Sequence, residues 1–194
     1  MEMIQLDTDR LVLRPLTFSD AEALFDIFSD PEVMQYWDGS PWHTLSQAYE
    51  DIQSSKASLD EPEKLVLGIC DRESQTFIGK CMLFNIHPTS RRAEIGFGIA
   101  KAYWGKGVVF EAASALIRFA FEEMNLNRLE AEIDPMNLGS AKVLQKLGFV
   151  EEGYLPERWI VDGYLSDSAL YGLLAKQWQE HQESSSIVLA MSER

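Results

Sequence analysis

The chain has 194 residues, 46% of them apolar, and 31 acidic against 17 basic side chains give a net charge of −14. Such a length and apolar content fit one globular domain over 1–194 and exclude a disordered chain. The charge excludes a basic nucleic-acid-binding face; it suits a cationic partner drawn in at long range, or serves solubility alone.

No apolar run approaches the ~20 residues of a membrane span. The acidic start M-E-M-I-Q-L-D-T-D-R lacks a signal-peptide hydrophobic region, so a cytoplasmic protein is expected. In chain order, Arg10 to Arg14 alternate as a short strand ended by Pro15. Thr17 or Ser19 caps a helix whose apolar face is Ala21, Leu24, Phe25 and Phe28, and Asp30-Pro31 restarts a short one. An aromatic loop follows, Y-W-D-G-S-P-W, in which Trp37 and Trp42 either pack as core or line an acceptor site. Thr44 caps a helix through about Ser58.

Leu65 to Cys70 and Phe77 to Ile86 read as a strand hairpin, with Gly79 marking a bulge. Cys70 and Cys81 sit in apolar surroundings and are expected as buried reduced thiols. His43, His87 and His181 are scattered, so no metal site is expected.

Residues 93–113, A-E-I-G-F-G-I-A-K-A-Y-W-G-K-G-V-V-F-E-A-A, organise the rest. Glu94 to Ile99 alternate as a strand. Gly105-Lys106-Gly107 form a loop that can take positive φ and turn its amides outward. From Val108 a helix begins, with Val108, Ala112, Leu116 and Ala120 on one face. A strand, a glycine loop and a helix N-terminus together make a cradle for a phosphate-bearing ligand. A P-loop is excluded, because Lys106 is followed by Gly107 and Val108 with no hydroxyl for magnesium. A dinucleotide fingerprint is excluded too: Lys101 stands where the third glycine belongs, and Gly96 and Gly98 lie inside the strand.

Downstream, Leu126 to Ile133 form a strand, Asp134 to Asn137 a turn and cap, and Leu138 to Leu147 a helix stopped by Gly148. Phe149 to Val161 and Ser166 to Leu174 pair across Asp162-Gly163. A short helix from Ala175 to Glu183 precedes an apolar tail over 184–194, read as a frayed end or a strand lent to a partner, with monomer and homodimer both open.

Taken as a set, A-E-I-G, Y-W-G-K-G and E-A, then N-L-G-S…G-F from Asn137 to Phe149, resemble the GNAT acetyltransferases, and within them the ribosomal-protein N-terminal (RimJ/RimL-like) branch. The resemblance implies a mixed, mostly antiparallel α/β sheet of seven strands with helices on both faces, one parallel crossover at the loop, and a core over about 8–178. It implies acetyl-CoA as donor and an amine acceptor, best guessed as the α-amine of a basic protein N-terminus. A small amine such as a polyamine, amino acid or aminoglycoside is the alternative acceptor, and a non-catalytic acyl-CoA-binding module is the rival class.

On that reading Trp104, Gly105, Lys106, Gly107, Val108 and Val109 hold the pyrophosphate, Lys106 either adding its charge or being simply solvated. Phe97, Gly98 and Ile99 run beside the pantetheine arm, and Asn137 bonds its amide. Lys142 and Lys146, four apart on one helix face, reach toward phosphates or are simply solvated. Glu94 is the candidate general base, since an α-amine near pKa 8 needs only modest help; its alternative is a partner for Arg91, Arg92 or a neighbouring strand. The tyrosine that protonates the thiolate in many of these enzymes would stand at Leu144, so Ser140 takes that role here or merely packs at the helix start. Arg158 and Asp167 orient the acceptor or form a cross-strand ion pair. Val109, where the family has Gly or Ala, is a departure that would crowd the loop.

Overall fold

The computed structural model describes residues 4–58 and 64–182. Its strands are β1 (Leu6–Asp7), β2 (Leu11–Pro15), β3 (Leu65–Asp71), β4 (Phe77–His87), β5 (Arg92–Ile99), β6 (Arg128–Ile133), β7 (Val150–Val161) and β8 (Tyr164–Leu174). Its helices are α1 (Ala21–Phe28), α2 (Pro31–Met34), α3 (Leu45–Ser58), α4 (Val108–Glu122), α5 (Leu138–Lys146) and α6 over 175–182. The strands make one eight-stranded sheet in the order β1-β2-β3-β4-β5-β6-β8-β7. Every neighbouring pair is antiparallel except β5 and β6. This is the expected mixed sheet with one parallel crossover. The count is corrected from seven to eight because Leu6–Asp7 adds a two-residue edge strand to β2, too short to leave a periodicity. The 184–194 tail lies outside the described residues.

Alternation in the strands sends apolar side chains to both faces, and each face has its own cover. On one, Leu11, Leu13, Leu67, Ile69, Leu83, Ile95 and Leu129 pack against Ala112, Ala113, Leu116 and Ile117 of α4 and Leu144 of α5. On the other, Val66 meets Leu24, Ile27 and Phe28 of α1, Val33 and Met34 of α2, and Ala48 and Ile52 of α3. Helices therefore cover both faces, as the resemblance implied. The predicted apolar stripe of α4 is buried as read.

One glycine in the sheet is required by contact and another by its turn. A Cβ on Gly79 would lie 2.2 Å from the Gly98 carbonyl oxygen, so β4 and β5 approach too closely for any side chain. The bulge predicted at Gly79 falls one residue earlier, at Ile78, between the Ile69–Gly79 and Cys70–Phe77 pairs. At Asp162 and Gly163, φ of 50° and 84° gives the two left-handed residues that a tight two-residue hairpin turn requires. Both cysteines are buried free thiols; burial pushes Cys81 up to about 12, which makes it inert at neutral pH. Among the described residues, no helix is long and apolar enough to cross a membrane.

Candidate active site

The site begins where β5 and β6 part. Their ladder holds three pairs, Arg92–Arg128, Ala93–Leu129 and Glu94–Glu130, and then stops. Beyond it β5 continues on β4 to Ile99, and β6 continues on β8 to Ile133. From Ile95 onward the β6-facing edge of β5 has no strand partner, and unpaired backbone groups in such a gap invite a ligand that can bond to them.

A cleft of about 1200 Å³ opens at this fork. Its lining comes from both faces of the sheet: Glu94, Gly96 and Glu132 on one, Ile95, Asn137, Ser140 and Leu144 on the other. The gap between β5 and β6 is thus a passage through the sheet. The loop after α2 closes one side with Trp37 and Ser40, and the β7–β8 hairpin closes the other with Arg158, Asp162 and Asp167. Ser40 Oγ joins the two across the cleft, 2.8 Å from each carboxylate oxygen of Asp162.

Glu94 is the last residue of β5 that pairs with β6. Asn85 Nδ2 donates to its Oε1 at 2.9 Å. Asn85 sits in a bulge where Asn85–Ile86 oppose Ala93, with φ of 48°, a left-handed conformation that asparagine tolerates. The alternative partners are engaged elsewhere: Arg91 with Asn125, and Arg92 with Glu130. Among the described residues no ion pair involves Glu94, so its carboxylate faces the cleft with a single protein donor on Oε1.

Glu132, two residues further along β6 than Glu94's partner, was not singled out in the sequence. Its Oε1 accepts from Trp159 Nε1 at 2.7 Å, Ser168 Oγ at 2.6 Å and Arg158 Nε at 3.3 Å. Burial pushes this carboxyl up, but the three donors outweigh it and hold Glu132 below the usual carboxylate range. It is a fixed anion. Arg158 and Asp167 do not pair with each other: Arg158 goes to Glu132, and Asp167 accepts from the Tyr154 hydroxyl and, at 2.7 Å, from Glu157 N. The bulge over 156–158, with Glu157 at φ 50°, swings Arg158 and Trp159 onto Glu132.

The glycine loop stands beyond the end of β5. Gly105 and Gly107 have φ of 71° and 76°, and nothing lies within 4 Å of where a Gly105 Cβ would be. Gly107 is the N-cap of α4 and offers no side chain to the first-turn amides, which have no intrahelical acceptor. Trp104, expected to touch a ligand, uses its Nε1 to bond the Ile99 carbonyl at 3.2 Å and so ties the loop to β5. Val109, the departure from the family's Gly or Ala, is partly buried and packs against the core. Lys146 places its Nζ 4.3 Å from the Phe110 ring centroid, bringing its charge to the first turn of α4. Lys142 is exposed one turn earlier on α5, and Lys106 is exposed with its Nζ 5.6 Å from the Tyr103 ring centroid.

Asn137 caps α5 by accepting from Ser140 N at 3.0 Å, which leaves its Nδ2 free to donate while the cap stays made. Ser140 stands over the fork beside fully buried Leu144. The cleft brings together Trp37, Glu94, Phe97, Asn137, Ser140, Arg158 and Asp167; the loop residues Trp104 to Val109, Lys142 and Lys146 do not line it, and neither do Trp42, Gly98 and Ile99. Trp42 stacks on Phe28, with ring centroids 5.1 Å apart, and is not among the residues lining the cleft. Gly98 and Ile99 also lie off it; a Cβ on Gly98 would come within 2.6 Å of Trp37, so this glycine makes room for the indole.

An open strand edge, an uncapped helix start behind two left-handed glycines, and a passage between them suit a long ligand with phosphates at one end.

Asp20, Glu111 and Glu132 share one electrostatic pattern: burial raises each carboxyl, and hydrogen bonds outweigh it and hold each below its usual range. A depressed folded pKa contributes stability that is complete above the unfolded value of about 4 and is lost as pH falls through the folded value. The thermal midpoint should therefore be flat from about pH 5 to 8 and drop below about pH 4. A midpoint that rose on acidification would show that relief of the −14 net charge dominates instead.

The Acetyltransferase (GNAT) domain family matches residues 10–150. The Uncharacterized N-acetyltransferase p20 of Bacillus licheniformis is 36% identical over 176 residues, 91% of this chain and 99% of that protein. The [Ribosomal protein uS5]-alanine N-acetyltransferase of Escherichia coli is 30% identical over 182 residues, 90% of this chain and 93% of the other. The crystal structure of spermidine N-acetyltransferase from Vibrio cholerae, in complex with CoA and spermine, superposes with a TM-score of 0.79. It covers 89% of this chain and 99% of its own at 22% identity, and at that distance it shows likeness of fold.

Proposed function

Since the chain belongs to the GNAT acetyltransferase family, and is an N-acetyltransferase using acetyl-CoA, we propose that it acetylates the N-terminal α-amine of a protein, a ribosomal protein for instance, by direct attack in a ternary complex. The observation that carries this reading is the fork: Glu94 and Ser140 reach one passage from opposite faces of the sheet. One side can bring in the amine while the other holds the donor.

Bound acetyl-CoA supplies the activated acyl group as a thioester. The residues that would hold it are Gly105 to Val109 with the first-turn amides of α4, aided by Lys146, Lys142 and Lys106, while the free edge of β5 near Phe97 and the Asn137 amide bond the arm. Trp104, Gly98 and Ile99 shape this surface from behind. Glu94 takes the ammonium proton of the acceptor directly or through water, so that a neutral amine attacks. The Ser140 hydroxyl gives its proton to the departing sulfur and is refilled by the second proton, the one the attacking nitrogen loses as the amide forms. Glu132, fixed and anionic, keeps Arg158 and Trp159 over the acceptor side, and Asp167 braces Tyr154 there.

The cleft's breadth and charge support this choice of acceptor. About 1200 Å³ exceeds what a slender polyamine needs and admits a peptide end. Asp38, Glu94, Glu132, Asp134, Asp162 and Asp167 line it, and an entering cationic chain meets that field. One relative is named for a ribosomal protein, while the spermine complex shares the fold and makes a polyamine the acceptor to test against. Thiol release from acetyl-CoA should be compared for peptides with free basic N-termini, the same peptides N-terminally blocked, and spermidine. Turnover confined to free N-termini is the expected result; turnover with spermidine and none with peptides would move the assignment to a small-amine enzyme. We also place the reaction in the cytoplasm, in one catalytic domain.

A further inference from the structure

The turn that enters β2 is bonded to a helix a hundred residues later. Thr8 Oγ1 donates to Glu111 Oε1 at 2.7 Å, and Arg10 N donates to the same oxygen at 2.8 Å. Arg10 Nε donates to Glu111 Oε2 at 2.6 Å, and Arg10 Nη1 to the Lys106 carbonyl at 3.2 Å. Arg10 Nη2 lies 3.5 Å from where a Cβ of Gly107 would stand. One guanidinium therefore spans the middle of the Gly-Lys-Gly loop and the first turn of α4, whose Glu111 N closes on the Gly107 carbonyl.

Glu111 complements the helix dipole, but it is also a negative charge beside the place where an anion is to bind. Burial pushes its carboxyl up, and donation from Thr8, then from Arg10, outweighs that and keeps it ionised. Resting on the reading of the loop as a phosphate cradle, we propose that Thr8 and Arg10 form a clamp for coenzyme recognition. It fixes the left-handed path of Gly105–Gly107 and cancels the charge of Glu111. Arg10 is thus a positioning residue that acts through the loop. Lysine cannot replace it, because only the planar fork reaches a carboxylate and a carbonyl together.

The test uses the full chain and two donors, acetyl-CoA and acetyl-pantetheine, which lacks the phosphates. In Arg10→Met, the Kd for coenzyme A and the KM for acetyl-CoA should rise about tenfold or more, as expected when a nearby carboxylate loses its counter-charge. The KM for the acceptor, and kcat/KM with acetyl-pantetheine, should stay within about twofold of wild type. Thr8→Val should move the same two constants by less. Arg10→Met combined with Glu111→Gln should regain most of the affinity, because the offending charge is gone; simple loss of structure would not be rescued by a second deletion. The clamp is overturned if Arg10→Met binds coenzyme A like the wild type, or if acetyl-pantetheine suffers as much as acetyl-CoA. A wild type without affinity for coenzyme A overturns the cradle reading, and the clamp with it.

Discussion

Glutamine in place of Glu94 is expected to lower kcat about 100-fold or more, the usual scale for removing a positioned general base. Glutamine keeps the shape of the side chain, and its amide oxygen can still accept from Asn85 Nδ2, so the bulge in β4 is not disturbed. What disappears is the ability to take a proton at the fork. The KM for acetyl-CoA should change little, since Glu94 lies on the face of the sheet away from α4 and α5.

The loss should shrink with rising pH, because an α-amine with a pKa near 8 loses its own proton above that value. A variant that regains activity between about pH 7 and 9 while the wild type levels off would carry the signature of a missing base. Equal activity of variant and wild type at pH 7 would remove Glu94 from the mechanism. Glu132→Gln gives a contrast. That carboxylate already accepts from three donors and is held in its anionic form, so its loss should raise the acceptor KM more than it lowers kcat.

Replacement of Asp51 by alanine should cost about 3–5 kcal/mol of stability. Asp51 on α3 holds Lys80 of β4, with Nζ 2.8 Å from Oδ2. Lys80 is only 5% exposed, and its Nζ sits 4.7 Å from the Phe28 ring centroid and 5.6 Å from that of Trp42. Burial pushes its pKa down and Asp51 opposes that shift, so without Asp51 an ammonium is left uncompensated among rings.

With the folded value below the unfolded 10.5, the unfolded chain binds more protons in the window between them. The penalty in Asp51→Ala should accordingly ease as pH climbs through the lowered value. The double variant Asp51→Leu with Lys80→Met should return close to wild-type stability, since an apolar pair of similar volume needs no desolvation. Chemical denaturation of the three proteins decides it. A loss below about 1 kcal/mol in Asp51→Ala would mean that Lys80 escapes to solvent. The pair also bears on the site: Phe28, on which Lys80 rests, meets Trp37 edge-on with centroids 5.2 Å apart, and Trp37 lines the cleft.

The parts of this account that were readable in the chain are those in which neighbours in sequence are neighbours in space. The glycines at 105 and 107 announce a left-handed loop because no other residue enters that conformation so cheaply, and both are found there. Asp162-Gly163 sets its hairpin for the same reason. Asn137 followed by an apolar helix marks a cap, and the cap is made.

Contacts between distant segments left no such mark. Gly98 looks like a close approach to a ligand, yet it is small because Trp37, sixty residues earlier, lies on it. Trp42 and Trp37 are alike in sequence and both pack on Phe28, yet only Trp37 also lines the cleft. Glu132 reads as one of several acidic residues on an alternating strand until a bulge in β7 delivers Arg158 and Trp159 to it. The one signal that could have pointed to Asn85 is an asparagine interrupting an apolar strand, which often marks a left-handed bulge.

In the proposed complex the donor lies along the free edge of β5 with its phosphates on the first turn of α4. Amide hydrogen exchange with and without coenzyme A tests it most directly. New protection is expected at residues 95–99, 105–110 and the start of α5 near Asn137 and Ser140, with β2, β3 and α3 unchanged. Protection that spared the glycine loop and the β5 edge while appearing elsewhere, or none at saturating coenzyme A, would contradict it.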